Sequence, residues 1–169
     1  MIIPIIIVVG SIYFDGLLTN LLPYLENDLS LFTPMLTIVS LFLIYPFYRK
    51  KEKDYFIIIG VLGFIYDLLY TNLLFYDALV FLLFGYIIKK IYKNLDIRPL
   101  KISLYVTGLI ILYELLLSFM ILVFQLTPIT ISEILYKITH SILLNILYAE
   151  GIHFILKVLP KKWKRIDIN

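Results

Sequence analysis

Residues 65–76 read IYDLLYTNLLFY, and residues 12–24 read IYFDGLLTNLLPY. Aligned on Asp67 and Asp15, seven of the ten positions from each aspartate onward are identical, with Asp, Thr, Asn and Tyr at fixed offsets. An acid, a threonine and an asparagine therefore recur inside two otherwise apolar stretches. The setting makes this informative. Of 169 residues, 62% are hydrophobic, and mean hydropathy is +0.97. Soluble domains are nearer half apolar, so the composition defines an integral membrane protein. At about 20 residues per span there is room for roughly six helices and little else.

The breaks between apolar runs set the expected elements. Pro23 and the polar run Glu26-Asn27-Asp28 end the first. Arg49 to Lys53 separates the second and third. Thr71, Asn72 and Asp77 bracket a tight turn. Arg98-Pro99 stops any helix before it, and Ser132 is the expected N-cap of the last helix. The fold class is all-α integral membrane, with six transmembrane helices at about 2–23, 31–48, 54–72, 76–93, 101–125 and 132–158. They form three successive helical hairpins within a single polytopic domain, 1–169, that ends in a short basic tail, 159–169.

Charge then orients the chain. Fourteen of the fifteen Lys and Arg residues fall in three segments: 49–53, 89–101 and 157–165. With six helices all three segments lie on one side, and the alternate loops carry no Lys or Arg. The positive-inside rule places both termini in the cytoplasm. The apolar N-terminus has no basic flank or small-residue cleavage site, and Asp15 interrupts it, so it is expected to remain as the first helix. Trp163 and the tyrosines near helix ends suit the interface belt.

The repeat extends to a third copy. Asp15, Asp67 and Glu114 each lie thirteen residues into an odd helix, spaced by 52 and 47 residues, and each is followed at +4 by Thr19, Thr71 or Ser118. Thirteen residues correspond to ~20 Å, which puts the three acids in the outer half of the bilayer. A carboxylate there costs about 3 kcal/mol unless paired or neutralised. The acids are therefore expected to face the bundle interior, an outward cavity or another protein. The hydroxyl one turn along is placed to bond the acid. Three roles stay open: packing polars that hold helices together, a shared binding surface comprising Asp15, Thr19, Asn20, Asp67, Thr71, Asn72, Asp77, Glu114 and Ser118, or a proton relay.

Helix six is the polar helix. Glu133, Lys137 and His140 share one face, and Lys137 is expected to pair with Glu133 or to reach a buried acid. Glu150 and His153 have an E-x-x-H spacing, but a single copy does not make a metal site, and a solvated turn with Lys157 is the simpler reading. With no Cys, two His, and no H-E-x-x-H, G-x-S-x-G or P-loop, the sequence offers no metal, cofactor or catalytic constellation. The chain is read as non-enzymatic. Its basic tail suits anionic lipid headgroups and not nucleic acid.

Gly60-x-x-Gly63-x-x-x-Asp67-Leu-Leu, then Asp77-Ala78-Leu79 and Phe84-Gly85-Tyr86, resembles the rod shape-determining protein MreD family. The motif covers residues 60–90, and length, helix count and orientation match throughout. The family commonly has Gly in the outer turn where this chain has Phe75, so the turn is expected to differ. The resemblance implies a multi-pass protein of the bacterial inner membrane, a scaffold of the machinery that elongates the cell wall. It implies binding to the single-span protein MreC, with further contacts to MreB, RodZ, RodA and a penicillin-binding transpeptidase. Asp67 is the matching signature residue. A homodimer is a further option. The alternative is a substrate-capture membrane subunit of a vitamin transporter, which also has about six helices. Such subunits display alanines on the first helix, and this first helix has none.

Overall fold

The computed structural model describes residues 2–25, 34–70, 75–93, 99–123 and 130–158. All regular structure among these residues is helical: α1 (Ile2–Leu25), α2 (Leu36–Tyr48), α3 (Glu52–Tyr70), α4 (Tyr76–Lys93), α5 (Pro99–Val123) and α6 (Ile131–Val158). Consecutive helices pack as pairs, α1 on α2, α3 on α4 and α5 on α6. What joins the pairs is α2, which packs against all five other helices.

The sequence of α2 explains that position. LTIVSLFLIYPFY is apolar on every side, and a helix of that kind has no face to give to water or headgroups. Every residue from Leu36 to Tyr45 is buried, and Leu41, Phe42 and Ile44 lie at the centre of the core. The outer helices instead expose apolar rows, such as Ile6, Val9 and Tyr13 on α1 and Leu143 and Leu147 on α6. Apolar residues on the outside and a polar-seamed interior are what a lipid solvent selects.

Several expected boundaries shift. The second helix begins at Leu36 and not near residue 31, so it has 13 residues and a length of ~20 Å, short of the ~30 Å hydrocarbon core. Among the described residues, three helical segments are long and apolar enough to cross a membrane: Ile3–Leu21, Ile102–Val123 and Ile131–Val158. Charged residues at the ends of α3 and α4 keep those two helices below that measure. Pro23 lies within α1 rather than ending it. It falls in the last turn, and its fixed φ is compatible with a helical backbone. Pro99 opens α5, where its missing N–H would have had no partner anyway. The N-cap of α6 is Thr130 and not Ser132: Glu133 N donates to Thr130 Oγ1 (3.3 Å), and Thr130 N donates to the Glu133 carboxylate (2.7 Å), a reciprocal capping box.

Apart from Lys137, near the start of α6, the described basic residues lie at helix ends in 49–53, 89–93 and at Lys157. Where the first two adjoin, Lys89 Nζ meets Glu52 Oε2 at 2.7 Å, and the rings of Tyr45, Tyr55 and Tyr92 pack together. Tyr105 joins this group through Phe42, which brings the start of α5 to the same end. The tail after residue 158, with Trp163, lies outside the described residues.

Candidate functional site: a buried acidic junction at the helix ends

A helix exposes unpaired N–H groups at its first turn, and one that starts inside an apolar bundle must find acceptors there. Met35, the N-cap of α2, makes no side-chain cap of its own. Asp15 of α1 does the work instead. Its Oδ1 accepts from Leu36 N (2.8 Å), and its Oδ2 accepts from Thr37 N (2.9 Å) and from the Thr37 hydroxyl (2.5 Å). One residue earlier, Met35 N donates to Asn145 Oδ1 of α6 at 3.0 Å. Three successive amides of the buried end of α2 are thus held by side chains of two other helices.

The second copy of the repeat does the same for its own hairpin. Asp67 of α3 accepts from Asp77 N (2.7 Å) and Ala78 N (3.2 Å) in the first turn of α4. The two aspartates answer one need. Each sits on the first helix of a hairpin and caps the second, where its negative charge also meets the positive end of the helix dipole. The third hairpin departs from this pattern, because α6 caps itself through Thr130 and Glu133. Glu114 is fully buried nonetheless, as are Asp15, Asp67 and Asp77.

Asp15 of α1, Tyr66 of α3 and Tyr113 of α5, one residue from each hairpin, come together at the start of α2. A cavity of about 10 Å³ opens here, walled by Asp15, Thr37, Tyr66 and Tyr113 with Ile38 and Phe81. That is the space of one water molecule and not of a vitamin.

Close packing makes the capping geometry possible. A Cβ on Gly63 would lie 2.5 Å from the Ala78 backbone, so α3 and α4 touch there main chain to main chain, one turn from Asp67. Gly16 leaves room for Tyr70, whose hydroxyl donates to the Ile12 carbonyl (2.8 Å) and ties α3 to α1. Phe75, just before α4, has φ of 68°. The turn therefore keeps the left-handed conformation that glycine favours, although the residue is phenylalanine.

Other expected roles change. Thr19 does not bond the acid's side chain; its Oγ1 donates to the Asp15 main-chain carbonyl (2.7 Å), and Asn20 Nδ2 donates likewise to Gly16 O (2.9 Å). Both face outward. Thr71 and Asn72 lie outside the described residues. Ser118 is buried on α5. Glu133 spends its carboxylate on the cap of α6. His140 stacks on Tyr136 (3.7 Å between centroids) and faces outward beside Thr139, with Lys137 half-buried between. Glu150 accepts from Ser103 Oγ of α5 at 2.6 Å, which makes it a packing contact rather than a solvated turn. No group of three or more metal-ligating side chains occurs among the described residues.

The receiving side of the junction was missed. Thr37 and Ser40 are three apart in an otherwise apolar stretch, a spacing that shares one helix face, and each is bonded there, Ser40 to the Tyr148 hydroxyl at 2.7 Å. Asn145 and Tyr148, also three apart on α6, complete the seam. These pairs were the available signal.

The architecture and its junction define a helical membrane protein that uses its intramembrane acids to fasten its own helix ends. The chain belongs to the rod shape-determining protein MreD family, whose model matches residues 1–162. It is thus a membrane protein with a role in rod shape determination, from a family of structural, shape-determining proteins within the cell-shape machinery. No curated protein and no solved structure matches it.

Proposed function

We propose that this protein is a non-enzymatic scaffold of the bacterial inner membrane that binds MreC and couples it to the enzymes of wall elongation. In this reading all six helices lie within the bilayer and both termini are cytoplasmic. The gathering of basic residues at the Glu52–Lys89 end supports that orientation. MreB, RodZ, RodA and a penicillin-binding transpeptidase are the further partners that the family role suggests.

One observation carries the proposal beyond family membership. The aspartates that define the sequence repeat are spent on helix ends, and the cavity beside them holds no more than a water. The molecule therefore offers partners its outer surface. Polar groups on that surface among the described residues include Thr19 and Asn20 on α1 and Glu133, His140 and the half-buried Lys137 on α6. An exposed amide or imidazole in lipid favours a helix that can hydrogen-bond it. Asp15, Asp67, Asp77, Glu114 and Ser118 support binding indirectly, by setting the shape of the surface.

Affinity purification from native membranes in mild detergent, with mass spectrometry, tests this. An MreC-like protein and wall-synthesis enzymes are expected, with Asn20→Leu combined with His140→Leu lowering their recovery at unchanged expression. Transporter ATPases or a stoichiometric vitamin would overturn the reading in favour of a substrate-capture subunit.

A further inference from the structure

We infer that the outer face of the α3–α4 seam holds an anionic phospholipid, with an acyl chain over Gly60 and the headgroup at Lys53 and Lys93. The inference rests on the six-crossing reading above, which lays both helices in the bilayer. Helical spacing sets two rows side by side. Lys53, Ile57, Gly60 and Phe64 share one face of α3, and Leu82, Tyr86, Lys89 and Lys93 share one face of α4, each row stepping by four, three and four positions. Glu52 meets Lys89 at 2.7 Å, and a Cβ on Gly60 would meet Leu82 Cδ2 at 3.9 Å, so the two rows flank the same side of the seam. Ile57, Tyr86, Lys53 and Lys93 are all exposed there.

Both rows grade from apolar to basic in the same direction. Gly60 lies seven residues from Lys53, ~10 Å along the helix, which is within one leaflet's half of the ~30 Å hydrocarbon core. Gly63 and Gly85 leave no space, since a Cβ on them would lie 2.5 Å and 2.6 Å from atoms across the seam. Gly60 differs, because Leu82 alone comes within 4 Å of its Cβ position. The result is a depression one residue long between Ile57 and Phe64. It admits a flexible acyl chain but not a partner helix, which is about 10 Å wide. At the basic end Lys89 is neutralised by Glu52, the one ion pair among the described residues. Asp54 follows Lys53 directly and is turned about 100° away around the helix. Lys53 and Lys93 therefore present their charge to a headgroup phosphate, and the Tyr86 ring lies between them and the apolar part, where an aromatic suits the membrane interface.

Native mass spectrometry of the intact protein, released from nanodiscs of phosphatidylglycerol and phosphatidylethanolamine in equal parts, tests the site. Retained phosphatidylglycerol is expected. Lys53→Gln combined with Lys93→Gln is expected to lower its retention roughly tenfold, since each interfacial lysine adds several-fold to the binding of anionic lipid. Gly60→Leu fills the depression at unchanged charge and is expected to lower retention as well, with helicity preserved. Lys137→Gln combined with Lys157→Gln removes the same charge elsewhere and is expected to change nothing. Equal retention of the two lipids, equal effects of the two lysine pairs, or a Gly60→Leu protein that retains the lipid as before would overturn the proposal. Ile57→Cys separates such a failure from a failure of the six-crossing reading. In native membranes it is expected to be inert to an impermeant maleimide from either side, and labelling would take α3 out of the bilayer and the lipid site with it.

Discussion

Phe75 shows how a single residue can keep a geometry its side chain disfavours. At φ of 68° its Cβ crowds the backbone, which costs a non-glycine residue roughly 1–2 kcal/mol. Asp67 demands the conformation, since the chain must turn sharply for the Asp77 and Ala78 amides to reach it. Phe75→Gly is therefore expected to raise stability by up to about 1 kcal/mol and Phe75→Ala not at all. Thermal unfolding in detergent decides, and equal midpoints for the two variants would remove the strain argument. The aspartates predict the opposite sign. Asp15→Leu leaves the Leu36 and Thr37 amides without an acceptor, at about 1–3 kcal/mol for each orphaned group. Asp15→Asn keeps one acceptor oxygen and should cost visibly less. The residues of this site were legible as a repeated pattern of Asp15 and Asp67, but their task was not. A carboxylate inside a membrane helix reads the same whether it awaits a ligand or a helix end, and only the positions of Leu36 and Asp77 in space distinguish the two.

At the scale of the element, α2 is the informative case. Its uniform apolarity accounts for its burial once the structure is known, yet its apolar run gives no sign that the helix begins only at Leu36, because a sequence shows where a helix can extend and not where its first amides find acceptors. The same limit hid Asn145, a lone amide on a polar helix until Met35 is placed opposite it. Asn145→Leu is expected to speed hydrogen exchange at the Met35 amide by tenfold or more, with helicity unchanged. If exchange there stays slow, α6 does not hold α2. The α3–α4 contact is equally specific. Gly63→Val forces the helices apart at Ala78 and should lower the unfolding midpoint much more than Gly108→Val, since a Cβ on Gly108 meets nothing within 4 Å.

For the whole molecule, the fold class and hairpin order follow from composition, breaks and charge, since these record the solvent of each segment. Packing around one central helix does not follow, because helix-to-helix contacts depend on shape rather than period. The absence of cysteine makes the orientation simple to check. Lys51→Cys is expected to react with an impermeant maleimide only after the cytoplasmic face is opened, and Thr130→Cys in intact spheroplasts. Labelling of both from the same side would contradict a six-crossing chain.

Asn145 lies 110 residues after Met35, whose amide it accepts from, and is therefore made later. Until α6 is made, the start of α2 lacks one of its three acceptors. The first hairpin is therefore expected to reach its final packing only when α6, 110 residues downstream, is in place. Nascent chains stalled before residue 145 should remain open to quality-control proteases, and those released after it should not.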